Sequence, residues 1–531
     1  MVHKIDRSQI MNRDLLTKRD KTLILIGNMI TLLLGALDST IVGTAMPKII
    51  NDLRGLEYYS WPFTAYMLGA TLAIIIFGKL SDLFGRKPIF LTGIITFLAG
   101  SILCGLSQNM LQLIFFRGLQ GIGGGVLISN SFIIVADMYS PRERGKYMGF
   151  LSSMFGLASV IGPSIGGLIT DALNWRWVFF VNLPLGAVAI GTVVTVLPHF
   201  KGKPDAGKLD LLGIVLLISG LVPFFLVFTW AGSSYAWSSP LILFMLAISI
   251  LLLTVFVLME KRAQEPILDP DLFNNRIFSV SAGANFLGNA LMFCGILFMP
   301  LFVQGVIGFN ATNSGMIMTP MMLGLTVASI TSGQIISRTG KYKILALVGF
   351  GLTLVGFVLL AGLTAATKGS TILLYSSLMG LGAGAIIPVF NIAAQNAFSQ
   401  RDLGTVTASM QFFRNMGATV GSSIFGYIVT INMTHGFKTL NFQNLPPAVT
   451  SVVTNPRILV NSGALVRVRS QIPIPFQSAF DGVVLQAKSV LAHSITTVFQ
   501  VAIGVTVFAL ILSLFLKEIP LTHFKRPAKM D

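Results

Sequence analysis

GKLSDLFGRKPIF, residues 78–90, is a charged turn at the junction of two long runs, 59–80 and 88–107, that carry almost no other charge. Asp82, Arg86 and Lys87 do not belong in hydrocarbon, whereas each flanking run is about 20 residues long, enough to cross roughly 30 Å of it as a helix. The same alternation of apolar run and short charged turn recurs along the chain. Of 531 residues, 53% are hydrophobic and 11% charged, against about 25% charged in an ordinary soluble domain. A soluble fold has nowhere to hide that much apolar surface. The runs also lack the half-polar alternation of outer-membrane strands, so the spans are expected to be helical.

Fourteen such runs are read near 23–46, 59–80, 88–107, 111–136, 146–170, 177–198, 209–230, 239–259, 278–303, 314–337, 343–364, 371–397, 405–432 and 495–516. With the N-terminus inside, 26 of the 37 Lys and Arg fall in inner tails and turns, nine fall in outer ones, and Arg117 and Arg414 lie within spans. The positive-inside rule therefore predicts that both termini are cytoplasmic. The net charge of +17 is spread over these turns rather than gathered on one polar face, which argues against nucleic-acid binding. Cys104 and Cys294 fall in apolar runs and read as small buried hydrophobes, with no disulfide framework or metal site implied. Residues 1–22 are polar and basic without the apolar core of a signal peptide, so the first span is expected to insert the protein itself.

An internal repeat divides the chain. SPRERGKYMGFLSSMFGLASVIGPSIGGLI from Ser140 aligns with SQRDLGTVTASMQFFRNMGATVGSSIFGYI from Ser399, and GKLSDLFGRK from Gly78 has a weaker counterpart, GQIISRTGKY, from Gly333. The expected organisation is an N-terminal tail (1–22), a six-helix bundle (23–198), linkers with two inserted helices (199–277), a second six-helix bundle (278–516) and a C-terminal tail (517–531). The second bundle includes one long outer connection, 434–494, whose prolines at 446, 447, 456, 473 and 475 argue against a single long helix. Within it, Ala464 to Ile472 alternates like a short strand.

Several stretches resemble one family. Gly78, Asp82, Gly85, Arg86 and Lys87 match the loop motif between spans two and three of the major facilitator superfamily; Gly85 supplies a permissive turn, and Asp82 can pair with Arg86 or face a helix N-terminus of the opposite half. RGLQGIGGGV (117–126) resembles the second antiporter motif, a membrane arginine followed by a glycine face for close packing. GLASVIGPSIGG (156–167), with Gly156, Gly162, Pro163, Gly166 and Gly167, resembles the antiporter motif of span five, where the proline bends the helix and, on the family's pattern, favours exchange over leak. LDSTIVGTAMP (37–47) and WRWVFFVNLPLG (175–186) resemble markers of the fourteen-span drug:proton antiporters of that superfamily. The resemblance implies the major facilitator superfamily fold with 14 transmembrane helices, arranged as six, two and six.

Proton coupling needs a titratable group that water reaches alternately from each side. On these boundaries Asp38 is the acid that falls within a span, and no histidine lies well inside one. Asp38 is about 13 Å and Arg117 roughly 9 Å from the outer surface at 1.5 Å per residue, so the two charges stand at similar depth. They are read as a coupling pair, or else as a static pair that locks helices together. Some relatives carry acids in span thirteen; here that stretch reads MQFFRNMG, with Arg414 and Asn415 instead, which points to neutral, monocationic or anionic amphiphiles rather than multivalent cations.

The expected function is proton-driven efflux of amphipathic small molecules across the plasma membrane, by a multi-pass monomer whose partners are substrate, protons and the lipid bilayer. It needs no cofactor beyond the proton gradient. Export of a lipid or cell-envelope precursor and a non-transporting receptor or scaffold are the alternatives. No phosphate loop, metal-ligand set or nucleophile paired with a base suggests an enzyme.

Overall fold

The computed structural model describes residues 17–53, 61–198, 210–232, 235–263, 266–309, 311–399, 402–438, 440, 468–470, 472 and 474–520. Helices account for nearly all of them. The first six spans are α1 (Lys18–Leu53), α2 (Trp61–Phe84), α3 (Arg86–Leu106), α4 (Met110–Met138), α5 (Pro141–Ala172) and the pair α6 (Trp177–Phe180) and α7 (Asn182–Val196). The inserted helices are α8 (Leu211–Trp230) and α9 (Pro240–Glu260). Then come α10 (Arg276–Phe302), α11 (Ala311–Thr339), α12 (Lys343–Ala361), α13 (Gly369–Asn396), α14 (Leu403–Lys438) and α15 (Ile474–Leu514). Among the described residues no β-strand forms, the extended pairing being an isolated bridge between Ala231 and Tyr235.

Local sequence explains where the helices start. Gly85 turns the chain between α2 and α3 at φ 96°, a backbone that side chains disfavour. Ser140 and Glu143 form a reciprocal capping box at the start of α5, with Pro141 in the first turn. Asn109 caps α4 by accepting from the Gln112 amide at 2.9 Å. The sixth span is broken at Val181, because Pro184 has no amide to donate and its ring crowds the carbonyl one turn earlier.

Eleven helices among the described residues are both long and apolar enough to cross a membrane. Helices α5, α11 and α14 also stand where spans were expected but fall outside that set, their sequences being diluted by Gly, Ser and Thr. These three are helices through which the two six-helix sets touch, where small residues let backbones approach. On one flank Gly145 of α5 meets the backbone of Gly333 in α11; on the other Gly78 of α2 meets Ala408 of α14. The repeat makes the flanks equivalent, since Gly78 aligns with Gly333 and Gly145 with Gly404. All these contacts lie toward one end of the bundle, the end carrying residues 78–87, here named the loop end.

The buried apolar residues form a large cluster drawn from α10 to α15 and its flanks, two clusters drawn from α1 to α7 with Leu403 of α14, and one in which Ile74 and Ile75 of α2 meet Phe225 of α8, Phe256 of α9 and Phe412 of α14. Helices α8 and α9 pack on each other, Ser249 donating to the Gly220 carbonyl at 2.8 Å, while Leu243, Phe244, Leu251 and Leu258 of α9 stay exposed as a lipid-facing surface would.

The long connection differs from its expected form. Helix α15 begins at Ile474, about twenty residues before the expected span, with Pro475 in its first turn where a missing amide costs nothing. Where a strand was expected over 464–472, residues 468–470 form a helical turn; 464–467 and 471 lie outside the described residues. Val468, Ile472, Phe480 and Val483 pack together, and Arg469 pairs with Asp481 at 2.9 Å, so this segment docks on α15.

Candidate functional site

Asp38 and Arg117 meet in the first six-helix set. Arg117 Nη1 donates to Asp38 Oδ2 at 2.5 Å, and neither side chain has any solvent-exposed area. The other carboxylate oxygen, Oδ1, accepts from Gln120 Nε2 and from Asn182 Nδ2, both at 2.8 Å. Ser101 accepts from the same two amides at 3.1 and 2.9 Å and passes its own proton to the Phe179 carbonyl. Four helices therefore converge on one carboxylate: α1 supplies it, α4 supplies Arg117 and Gln120, α3 supplies Ser101, and the break between α6 and α7 aims Asn182 inward. The guanidinium stacks over Tyr66 of α2 at 4.3 Å and also donates through Nη1 to Gln120 Oε1 at 2.8 Å, while its Nε and Nη2 have no hydrogen-bond partner. The three donors to Asp38 come from two helices, Arg117 and Gln120 one turn apart on α4 and Asn182 at the start of α7.

Gln120, Asn182, Ser101 and Tyr66 were not singled out from the sequence. Gln120 and Asn182 do stand inside RGLQGIGGGV and WRWVFFVNLPLG, and an uncharged amide inside an apolar run was the available signal. The glycines of that first motif pack α4 against α2: a methyl group on Gly121 would strike the Tyr66 carbonyl, and one on Gly125 the Ala70 carbonyl.

The switch-loop residues gather at the loop end. Arg86 pairs with Asp82 at 2.5 Å and with Asp137 of α4 at 2.8 Å, and donates to Ser81 at 2.7 Å. Lys87 donates to the Val194 carbonyl at the end of α7. Asp82 also accepts from Thr405 at 3.4 Å and lies against Gly404, so that its carboxylate faces the first turn of α14 in the opposite set. A negative charge there meets the positive end of the helix dipole. The equivalent position on the other flank is Ser337, so the carboxylate that faces α14 across one seam has a hydroxyl as its counterpart on the other.

Along α5, Gly156 faces Thr326 and the Met322 carbonyl of α11, Gly162 faces Thr40 of α1, and the Gly166 carbonyl accepts from Thr170 at 2.5 Å. Gly167 has open space beside it. Pro163 lies within the helical span, its side chain outside the described residues. Thr40 also donates to the Ala158 carbonyl at 3.1 Å, tying α5 to the turn of α1 that follows Asp38. The repeat's matched arginines, Arg142 and Arg401, have side chains outside the described residues.

Arg414 of α14 is 6% exposed and places its guanidinium over the Phe155 ring of α5, 4.4 Å away across the junction of the two sets. Asn415 beside it is half-buried. Beyond them, away from the loop end, the sets part around a cavity of about 410 Å³ walled by α2, α8, α10 and α14. Phe63, Phe225, Phe228, Phe293 and Tyr427 give it an aromatic lining, and Thr419, Ser422, Ser423 and Thr430 form a hydroxyl wall. That volume suits a drug-sized molecule.

Two packed sets of membrane-length helices, closed at one end, parted at the other and holding a buried ion pair at depth, define a multi-pass membrane transporter. A sequence profile described as Major Facilitator Superfamily matches residues 29–422. The multidrug transporter protein MdtP of Bacillus subtilis (strain 168) is 38% identical over 518 residues, 95% of this chain and 94% of that protein. Multidrug resistance protein 3 of the same organism is 33% identical over 501 residues, 93% and 94% of the two chains. The crystal structure of the human organic anion transporter MFSD10 (TETRAN) superposes with a TM-score of 0.60 at 15% identity, covering 92% of this chain and 99% of that one, a likeness of fold. The chain belongs to the Major Facilitator Superfamily.

Proposed function

We infer that this protein is a proton-driven antiporter that exports amphipathic small molecules across the plasma membrane through 14 spans, with both termini and the loop end cytoplasmic. The observation that carries this reading is the buried Asp38, an acid at membrane depth whose shell is assembled from four helices. Similarity to two multidrug transporters over nearly the full chain supports the drug-like cargo. In this reading the structure is closed to the cytoplasm by the Asp82 and Gly145–Gly333 contacts and parted toward the outside, the state in which cargo leaves and a proton arrives.

Protonation of Asp38 removes the charge that Arg117, Gln120 and Asn182 converge on, which loosens α1, α4 and α7 from one another. Helix α1 packs on α5 and α4 packs on α2, the helices that carry the first set's side of the junction, and the shift lets the seams at Gly404 and Gly333 open toward the cytoplasm. There cargo binds, the proton is released, and the ion pair re-forms. The protein acts as a monomer in the bilayer, and the proton gradient is its energy source. Purified protein in proteoliposomes should expel a fluorescent amphiphile when an inward proton gradient is imposed, and an uncoupler should stop it. Expulsion undiminished after the gradient collapses would refute antiport.

A further inference from the structure

The ion pair at Asp38 is complete: Arg117 has its carboxylate, and the carboxylate has three donors. Arg414 has nothing comparable. Its Nη1 is fully buried without a hydrogen-bond partner, and no carboxylate among the described residues pairs with it. A lone guanidinium removed from water is unstable unless an anion or a set of acceptors reaches it. The Phe155 ring offers its π face and no lone pair. Gln411, one turn earlier on α14, has an unpartnered buried carbonyl oxygen that is not bonded to Arg414. The described spans thus hold one cation more than they hold anions at this depth.

We propose that Arg414 is the docking point for the acidic group of an amphiphilic monoanion, so that the cargo of this exporter includes carboxylates with an apolar body. The proposal rests on the export reading above and names a substrate class for it. The cavity supports the orientation. It begins at Ala418, one helical turn from Arg414 and about 6 Å further along α14 at 1.5 Å per residue. Its hydroxyls are poor hosts for a negative charge, because Thr419, Ser422, Ser423 and Thr430 each donate their proton to a carbonyl of their own helix. Among the described residues no ionisable side chain other than the Tyr427 phenol lines it. An anion therefore finds its donors at Arg414 and leaves its apolar part among the rings, while a planar fork suits a carboxylate better than a point charge does.

The test uses the full-length protein in proteoliposomes with 2-naphthylacetate and its uncharged isostere 2-naphthylacetamide. At pH 7 the wild type should take the acid with at least about tenfold lower KM than the amide, the size expected of a charge-assisted, bidentate contact. R414Q should erase that preference while the KM for the amide stays within twofold, which also reports that the variant is folded. R414K should keep part of the preference. A wild type that treats acid and amide alike overturns the proposal, as does an R414Q variant that still prefers the acid or an R414K variant that loses the preference as fully as R414Q. Proton uptake coupled to amide export is measured in parallel. Its loss in the wild type would overturn antiport while leaving the acid preference to judge Arg414, and its persistence beside an absent acid preference would do the reverse.

Discussion

Replacing Asp38 by Asn keeps the shape of the side chain and changes one atom's chemistry. The two amide donors, Gln120 and Asn182, both sit on Oδ1, which asparagine retains as its carbonyl oxygen. The amide nitrogen then replaces Oδ2 and faces Arg117 Nη1, donor against donor, at the position of the 2.5 Å ion pair. Arg117 keeps Gln120 Oε1 at 2.8 Å and the Tyr66 ring, and becomes a buried charge without a counter-ion. Breaking a buried pair from one side costs about 3–5 kcal/mol. At roughly 2.1 cal/mol/K of unfolding entropy per residue, a chain of 531 residues should lose about 3–5 °C in apparent Tm. Adding Arg117→Met removes the stranded charge, so D38N/R117M should recover about 2–3 kcal/mol relative to the sum of the single changes. Tryptophan fluorescence during thermal unfolding of the purified variants measures the cycle. In proteoliposomes, D38N should still exchange labelled for unlabelled substrate but should not respond to an imposed proton gradient. A D38N protein as stable as wild type, unaffected by the second change and still driven by the gradient, would refute the argument.

Gly333→Val places a branched side chain against the Gly145 carbonyl and should disfavour closure at the loop end. A cysteine at Ser329, buried in the closed seam, should then react with maleimide severalfold faster, and an unchanged rate would contradict the seam's role. Asp82→Asn removes the pair with Arg86 and the charge facing the first turn of α14; initial export should fall about tenfold with the amount of folded protein preserved, and wild-type export would exclude the clamp. Asp481→Asn breaks an exposed pair with Arg469 and should leave the apparent Tm within about 1 °C, as surface pairs contribute little. A larger loss would mean that the segment near residue 470 holds α15 in place.

Much of this architecture is legible in the linear chain because membrane length and charge placement are one-dimensional signals. The turn 78–90 announced itself by charge, and Asp38 and Arg117 by their depth. What the sequence hid was convergence. Gln120 and Asn182 carry no charge, so hydropathy hardly registers them, and only the packing of α1, α3, α4 and α7 turns their amides onto one carboxylate. The break that aims Asn182 was visible as Pro184, yet an apolar run of membrane length reads as one span until the missing amide is traced to its partner. The start of α15 was missed for a related reason: residues 474–494 mix polar and apolar positions, and a window tuned to hydrocarbon stops short of a helix that continues beyond it. The alternation at 464–472 misled because a period of two over so few residues weighs little against a nearby helix able to bury Val468 and Ile472.

The seam at Gly145 and Gly333 brings two backbones together with no side chain between them. At that point the closure contains no lock-and-key lettering: backbone meets backbone, and the contact is indifferent to what has just passed. The cavity residues occupy different turns, on α2, α8, α10 and α14. Mutation can therefore re-line the chamber for a new compound without touching the door, which makes the chain a chassis whose cargo can drift while its valve stays the same.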